Sequence, residues 1–316
     1  MSFKQFRRKV RKPFETGACL FLFAIIRLMT LKGVRRTARI FGFILYLLPA
    51  QRKLVMANLD VAFPDKTLTD KKRIARKSMA NLLMAFMEQI WFYQHEKRQK
   101  RYLTQSDEII SKIKELEKEQ SILFLALHMG NWEFTSLTAN QFSDKKLSIV
   151  ARRVKNSFLN DWITKAREFT GAKVLLGNGA VKSLLRALKG KENIGLLVDQ
   201  NTKTYEGGVF GNFFELPVTI SRTPAMLARK FDCRIVLLNC LRNRDGFYYD
   251  LRVIEKSSKE FESDLSLSQE FLKEMEGLVR QFPESWIWMY NRWNYIPQDM
   301  LHLQDKYPYY AKINEE

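Results

Sequence analysis

A chain of 316 residues is long enough for one or two domains with a sizeable core, and 53 basic against 34 acidic residues give it a formal charge of +19. That balance calls for an anionic partner: nucleic acid, an anionic leaflet, a phosphorylated glycolipid or an acidic carrier protein. Repeats, an RNP-like aromatic motif, zinc-finger spacing and a low-complexity basic tail are all missing, which weighs against nucleic acid. Three cysteines, odd in number and set in apolar stretches, exclude a disulfide framework and fit a reducing compartment.

At the amino terminus KQFRRKVRK leads into an apolar run broken by Arg27, and KGVRRTAR then leads into IFGFILYLLPA. Each run is short for an independent span of about twenty residues. The first is expected to anchor in or across the bilayer, with Arg27 snorkelling and the flanking basic residues on the cytoplasmic, anionic side. Two amphipathic helices packed on the domain are the alternative. No small-residue cleavage site follows the first run, so a removed signal peptide is not expected. Residues 1–49 are accordingly set apart as a basic and apolar membrane anchor, and residues 50–316 as the catalytic domain.

Beyond residue 50 no Pro/Gly/Ser-rich linker divides the chain. Helical period runs from Thr69 to Tyr93, with Thr69 as the cap and Ile74, Met79, Leu82, Leu83, Phe86 and Ile90 as the apolar face. Asp107 to Glu119 suits a surface helix leading into SILFLAL, whose continuous apolarity predicts a strand covered on both faces. Further strands are predicted at LSIVA, AKVLL, NIGLLV and CRIVLLNCL, each after a helix-length segment, with FYYDLRVI as an edge strand. The expected fold is a single α/β domain with a largely parallel central sheet flanked by helices. Ligands of such sheets collect where strands end, so LHMGNWE, VARRVK and LVDQN should open onto one crevice that gathers His128, Arg153 and Asp199.

His128 and Glu133 carry the chemistry. Residues five apart on a straight helix point about 140° from each other, so the two meet only if His128 ends a strand and Glu133 enters a helix. Gly130 permits the turn, Asn131 is placed to cap the helix, and helix-start amides near Asn131 would face a developing oxyanion. In this reading neutral His128 takes a proton from an attacking hydroxyl while Glu133 fixes the ring tautomer. A metal is not expected, because HExxH needs two histidines on one helix face and the segment supplies one. No cysteine has a neighbourhood that favours a nucleophilic thiolate.

LHMGNWE resembles the His-x4-Asp/Glu motif of glycerolipid acyltransferases, and its HxGNWE form is similar to the late acyltransferases of bacterial lipid A biosynthesis. MANLDVAFPD with Glu88 downstream, VARRVKNSFLNDWITKAREFTGAKVL, GLLVDQN, GGVFGNFFELPVT, PAMLARKFDCRIV and WMYNRWNYIP resemble successive blocks of that family, over most of residues 50 to 297. The resemblance implies acyl transfer from an acyl carrier protein thioester to a hydroxyl of a phosphorylated lipid A precursor at the cytoplasmic face of the bacterial inner membrane, with no cofactor. In that scheme His128 activates the hydroxyl of a 3-hydroxyacyl chain and Glu133 orients His128.

A second constellation is basic. Arg152, Arg153 and Lys155 follow one strand, and Arg167 lies on the ensuing helix shortly before Gly171. Such residues either stay solvated or grip phosphate and carboxylate groups through the planar guanidinium fork. The resemblance singles out Arg167 as the functional arginine. Asp199, at the end of NIGLLVD, is expected to hold an arginine, with Arg167 the physical choice, to contact the acceptor, or to cap the next helix; the resemblance marks it as functional.

GGVFGNFFELP either lines an acyl channel, dips toward lipid or packs as a hairpin; it departs from the form usual in the family it resembles, where Gly follows FF and Glu215 stands here. SWIWMYNRWNYIP either covers the sheet or forms an interfacial aromatic belt, with Arg292 reaching toward a substrate phosphate. Three functions compete: a glycolipid acyltransferase, a thioesterase or hydrolase with the same His and Glu, and a noncatalytic protein bound to anionic membrane. Hydrolysis usually brings a GxSxG elbow, which is missing here. Within the transferases, HMGNWE favours a lipid A precursor over a mannosylated phosphatidylinositol as acceptor.

Overall fold

The structure, a computed structural model, describes residues 3–103, 107–169, 171–177 and 179–312, with the backbone alone described for 3–14, 100, 137–138 and 311–312. The chain begins with helices α1 (Phe3–Leu28), α2 (Leu31–Leu47), α3 (Pro49–Ala62), α4 (Leu68–Phe92), α5 (Glu96–Tyr102) and α6 (Asp107–Glu117). The α/β part follows as β1 (Ile122–Ala126), α7 (Trp132–Phe142), β2 (Leu147–Ala151), α8 (Ser157–Glu168), β3 (Lys173–Leu176), α9 (Ala180–Lys189) and β4 (Asn193–Leu197). A hairpin, β5 (Gly208–Phe213) and β6 (Leu216–Ser221), precedes α10 (Thr223–Phe231), β7 (Arg234–Arg242), β8 (Phe247–Ile254) and α11 (Asp264–Gln281). Two short strands, β9 (Tyr295–Ile296) and β10 (Ala311–Lys312), close the chain.

The central sheet has the order β3-β2-β4-β1-β7-β8, parallel except for β8, which pairs antiparallel with β7 at the edge. All five residues of β1 are buried, as expected of a strand covered on both faces. One apolar cluster includes Leu123, Leu125, Ile194 and Leu237, and the other includes Phe124, Leu147, Ile149 and Leu238, so alternate residues of each strand feed opposite layers. The mostly parallel α/β sheet is therefore as the apolar runs predicted.

The long helix α4 starts two residues earlier than its period indicated. Thr67, not Thr69, is the cap, its hydroxyl accepting from the Asp70 amide at 3.1 Å. Ile74, Met79 and Ile90 are buried as expected, whereas Phe86 is 40% exposed and faces the crevice with Leu82.

The amino-terminal helices lie against this domain. Val34, Arg35, Ala38, Gly42 and Tyr46 are the inward face of α2, and a side chain at Gly42 would collide with the Ala80 backbone of α4, so glycine sets how closely the helices approach. The opposite face, Ile40, Phe41, Phe43, Ile44 and Leu47, is exposed, as are Leu20, Phe21, Leu22, Ile25 and Leu28 of α1. Among the described residues no single helix is long and apolar enough to cross a membrane, although α2 and α3 together, bent by 92° at Leu48, have the length and composition of a broken span. A straight spanning anchor, one form of the amino-terminal expectation, is thus not seen.

The aromatic segment near the end covers the sheet from within. Trp286, Trp288 and Trp293 are at most 1% exposed, each removing roughly 200 Å² from water, on the order of 5 kcal/mol. That rules out the belt reading. Phe213 and Phe214 are likewise buried, so the hairpin packs into the core. Its two turn residues, Phe214 (φ 50°) and Glu215 (φ 62°), are both left-handed, a geometry that a glycine would ease.

Candidate active site

His128 and Asp199 meet because two parallel strands end side by side. Ala126 of β1 is paired with Leu197 of β4, and each functional residue lies two positions beyond its paired strand end. The Asp199 carboxylate takes the His128 amide on Oδ2 at 2.8 Å and the His128 ring on Oδ1 at 2.7 Å. Its second oxygen also accepts the indole N–H of buried Trp286 at 2.8 Å. With Nδ1–H donated to Asp199, the lone pair of Nε2 faces the crevice, where the Gln200 amide nitrogen stands 3.4 Å away.

Burial opposes the charged imidazolium, but the Asp199 carboxylate more than offsets it and holds the His128 pKa above its ordinary value. Burial likewise opposes the Asp199 anion; His128 and Trp286 outweigh it and keep the carboxyl below the usual range. The pair is therefore poised to receive a proton at Nε2 and to stabilise the resulting ion pair.

Glu133 lies in the first turn of α7, where the helix dipole favours a carboxylate, and it binds Arg167 bidentately, Nε to Oε2 at 2.8 Å and Nη2 to Oε1 at 2.7 Å. Gln89 and Trp132 each donate a further bond of 3.1 Å. Burial raises the Glu133 pKa, but Arg167 lowers it by more, to a net value below the ordinary one. Two expectations are corrected here. Asp199, not Glu133, holds the His128 ring, and Arg167 pairs with Glu133 instead of Asp199. Arg167, which the sequence placed only on the helix before Gly171, lines the crevice from α8.

Gly130 makes the turn at φ 57°, packed so tightly that a side chain would strike the Cys240 carbonyl. The amides of this turn are already engaged. Gly130 donates to the Ser285 carbonyl at 2.9 Å and Asn131 to the Cys240 carbonyl at 2.7 Å, so neither faces an oxyanion as expected. Asn131 occupies the cap position without a capping bond; its fully buried side chain instead reaches Glu88 at 3.0 Å, away from the crevice. Glu88 in turn pairs with Arg35 (2.9 Å) and Arg242 (2.7 Å), fastening α2, α4 and β7 beneath the turn. Asn131 thus supports the loop and does not touch substrate space.

Arg153 is exposed and lies outside the crevice lining, to which its neighbour Arg152 contributes. Arg292, expected to reach a phosphate, is fully buried, donating to Asn201 Oδ1 at 2.5 Å and the Thr219 carbonyl at 2.6 Å; burial pushes its pKa down to about 10. Burial pushes the Cys233 and Cys240 thiols up to about 12, in keeping with core roles. Among the described residues no cluster of His, Cys, Asp or Glu has metal-binding geometry. Sequence reasoning missed Gln200 and Trp286. Gln200 had a signal, adjacency to Asp199 at a strand end; Trp286 comes from a segment 87 residues away and had none.

The crevice is a cavity of about 650 Å³ at the carboxyl ends of β1, β2 and β4, lined mainly by apolar side chains, with His128, Glu133, Arg152, Arg167 and Gln200 among its polar ones. An imidazole braced on one side and open to an apolar cavity on the other can deprotonate a hydroxyl held near a hydrocarbon chain.

The family model described as bacterial lipid A biosynthesis acyltransferase matches residues 3–295. A lipid A biosynthesis lauroyltransferase of Escherichia coli (strain K12) is 23% identical over 253 residues, 78% of this chain and 80% of that protein. A lipid A biosynthesis acyltransferase of Haemophilus influenzae is 21% identical over 271 residues, 82% of this chain and 83% of its own length. A lipid A biosynthesis palmitoleoyltransferase of Escherichia coli (strain K12) is 19% identical, covering 79% of this chain and 81% of its own.

Proposed function

Because the chain belongs to the bacterial lipid A biosynthesis acyltransferase family, and is accordingly an acyltransferase, we propose that it moves a fatty acyl chain from an acyl carrier protein thioester to a hydroxyl of a lipid A precursor. The observation that carries this reading is the His128 ring, fixed by Asp199 with Nε2 open to a largely apolar cavity. Nε2 takes the acceptor hydroxyl proton as its oxygen attacks the thioester carbonyl, so the C–O bond forms while charge builds on the carbonyl oxygen. The tetrahedral species then collapses, the C–S bond breaks, and His128 returns the proton to the leaving thiolate. No covalent enzyme intermediate is required. The Gln200 amide is the donor nearest the reacting atoms, and Glu133 holds Arg167 in the cavity wall, where it serves the acceptor's anionic groups.

The surroundings favour a lipid acceptor at an anionic surface. Within the amino-terminal segment, 1–49, α2 presents an apolar outer face, Ile40, Phe41, Phe43 and Ile44, beside exposed Arg36 and Arg39. That pattern suits helices lying in the cytoplasmic interface of the inner membrane, with residues 50–316 carrying the reaction. A net charge of +19 suits both anionic lipid and an acidic carrier protein.

The test is mass spectrometry of purified protein given acyl carrier protein thioesters and a lipid A precursor. Wild type should yield an acceptor heavier by one acyl group. His128→Ala should lower the rate by about 10³-fold while remaining folded and vesicle-bound. Free fatty acid as the main wild-type product, or wild-type turnover by the variant, would refute the assignment.

A further inference from the structure

The cavity lining extends to both sides of the rim that bears His128. Past the strand ends it includes the polar residues Arg152, Gln200, Asn201 and Thr223 among apolar ones. On the inner side an apolar slot descends between the sheet and α7. The parallel register aligns Phe124, Gly195 and Ile149 in one row across β1, β4 and β2, all on the face toward α7. Ala139 of α7 forms the opposite wall, and Leu147 lies at the bottom. The Thr135 hydroxyl on this wall accepts the Cys240 amide at 3.2 Å.

Gly195 is the informative residue. It occupies the middle of a core strand, where glycine weakens the element, and its φ is not left-handed, so the backbone does not require it. Gly195 lines the cavity, and a Cβ there would press on Ile149 Cγ2 at 3.0 Å and meet Leu147 Cδ1 at 3.6 Å, two residues that line the slot with it. Beneath it Asn193, with Glu117 and Ser143 at 3.0 and 2.8 Å, replaces apolar lining by a buried hydrogen-bonded cluster that ends the hydrocarbon path. From Ala151 at the rim to Leu147 the slot follows four residues of β2, about 13 Å at a rise of ~3.3 Å per residue.

We propose that this slot holds the transferred acyl chain and that Gly195, by lacking a side chain, sets the chain length the enzyme accepts. The inference rests on the acyltransferase reading above and deepens it. The polar groups past the strand ends then receive the acceptor's sugar and phosphate groups. A chain entering past His128 runs down the row of Gly195 until Leu147 and the Asn193 cluster stop it.

The test is competition among equimolar decanoyl, lauroyl, myristoyl and palmitoyl acyl carrier proteins for one lipid A precursor, with products resolved by mass. Gly195→Ala and Gly195→Val should each lower the ratio of the longest accepted chain to the shorter ones, the Val variant at least about tenfold. Ala139→Leu, which narrows the slot from the opposite wall, should shift the ratio the same way and covers the case in which the Val variant does not fold. A wild-type length profile in folded Gly195→Ala and Ala139→Leu overturns the proposal, as does equal loss of transfer from all four donors. Displacement of a fluorescent fatty acid by free acids of the same four lengths needs no turnover. A length cut-off that moves in Gly195→Ala would uphold the slot even if wild type acylated no lipid A precursor, whereas an unmoved cut-off would sink it.

Discussion

Asp199 and Glu133 are both buried carboxylates at the carboxyl rim of the sheet, and both are held ionised against the cost of burial, yet they serve different cations. Asp199 sits two residues past a strand and braces an imidazole, a group that can gain or lose a proton near neutral pH. Glu133 sits in the first turn of a helix and grips a guanidinium whose charge does not change. The difference teaches that a carboxylate near a histidine in sequence is not thereby its partner. What matters is which strand ends lie adjacent.

Exchanging each carboxylate for its amide breaks the comparison most sharply. Asp199→Asn should reduce kcat by about 10³- to 10⁴-fold, since the amide no longer enforces the Nδ1–H tautomer. It should also move the acidic limb of the pH–rate profile. Asp199 raises the His128 pKa against the cost of burial, so in wild type the base becomes neutral at higher pH than an ordinary imidazole, and in the variant this limb falls to lower pH. A limb that stays in place would assign the ring's orientation to another group.

Glu133→Gln leaves Arg167 buried without its partner and should cost about 3 kcal/mol in denaturant unfolding, with transfer lost chiefly through the displaced arginine. Its pH–rate limb should move less than that of Asp199→Asn, because Asp199 is the larger influence on His128. Glu133 has a depressed folded pKa, so its contribution to stability is present above about pH 4.3 and lost as pH falls through the folded value. Wild type should therefore lose more stability on acidification than the variant, and parallel pH–stability curves would contradict the ion pair's role.

Trp286→Phe keeps the aromatic bulk but removes the indole donor to Asp199. A lost hydrogen bond to a charged group, about 1.5–3 kcal/mol, sets the expected drop in stability, and kcat should fall roughly tenfold with a smaller change in KM. A fall in stability with kcat unchanged would show that Asp199 needs no second brace. Arg153→Ala should be the mildest change, within about 0.5 kcal/mol in stability and about twofold in rate, since Arg153 is exposed outside the cavity. A large loss of acceptor affinity in Arg153→Ala would mean that the substrate reaches beyond the cavity.

Much of the fold is legible in the residues because strand and helix signals are local. LSIVA is β2 residue for residue, FYYDLRVI is the antiparallel edge strand, and α6 begins at Asp107 as its pattern indicated. The cap of α4 was misread because Thr67 and Thr69 both precede the apolar period, and only the hydrogen bond to the Asp70 amide separates them. Arg153 and Arg152 are adjacent and chemically equal, so the sequence offers no means to tell which lines the cavity. The Trp segment was ambiguous because aromatic residues suit a core and an interface equally, and burial is decided by what packs over them.

By itself, then, the sequence determined the parallel α/β scaffold, the strand-end positions of His128 and Asp199 and the helix-start position of Glu133, all of which follow from apolar period and turn residues a few positions apart. Only the tertiary structure decided the partnerships. Placing β4 directly beside β1 brings Asp199 to His128 across 71 residues, and seating α8 over the start of α7 brings Arg167 to Glu133. Strand order and helix docking arise from the packing of whole apolar faces, and no short run of residues records which distant face its neighbour will be.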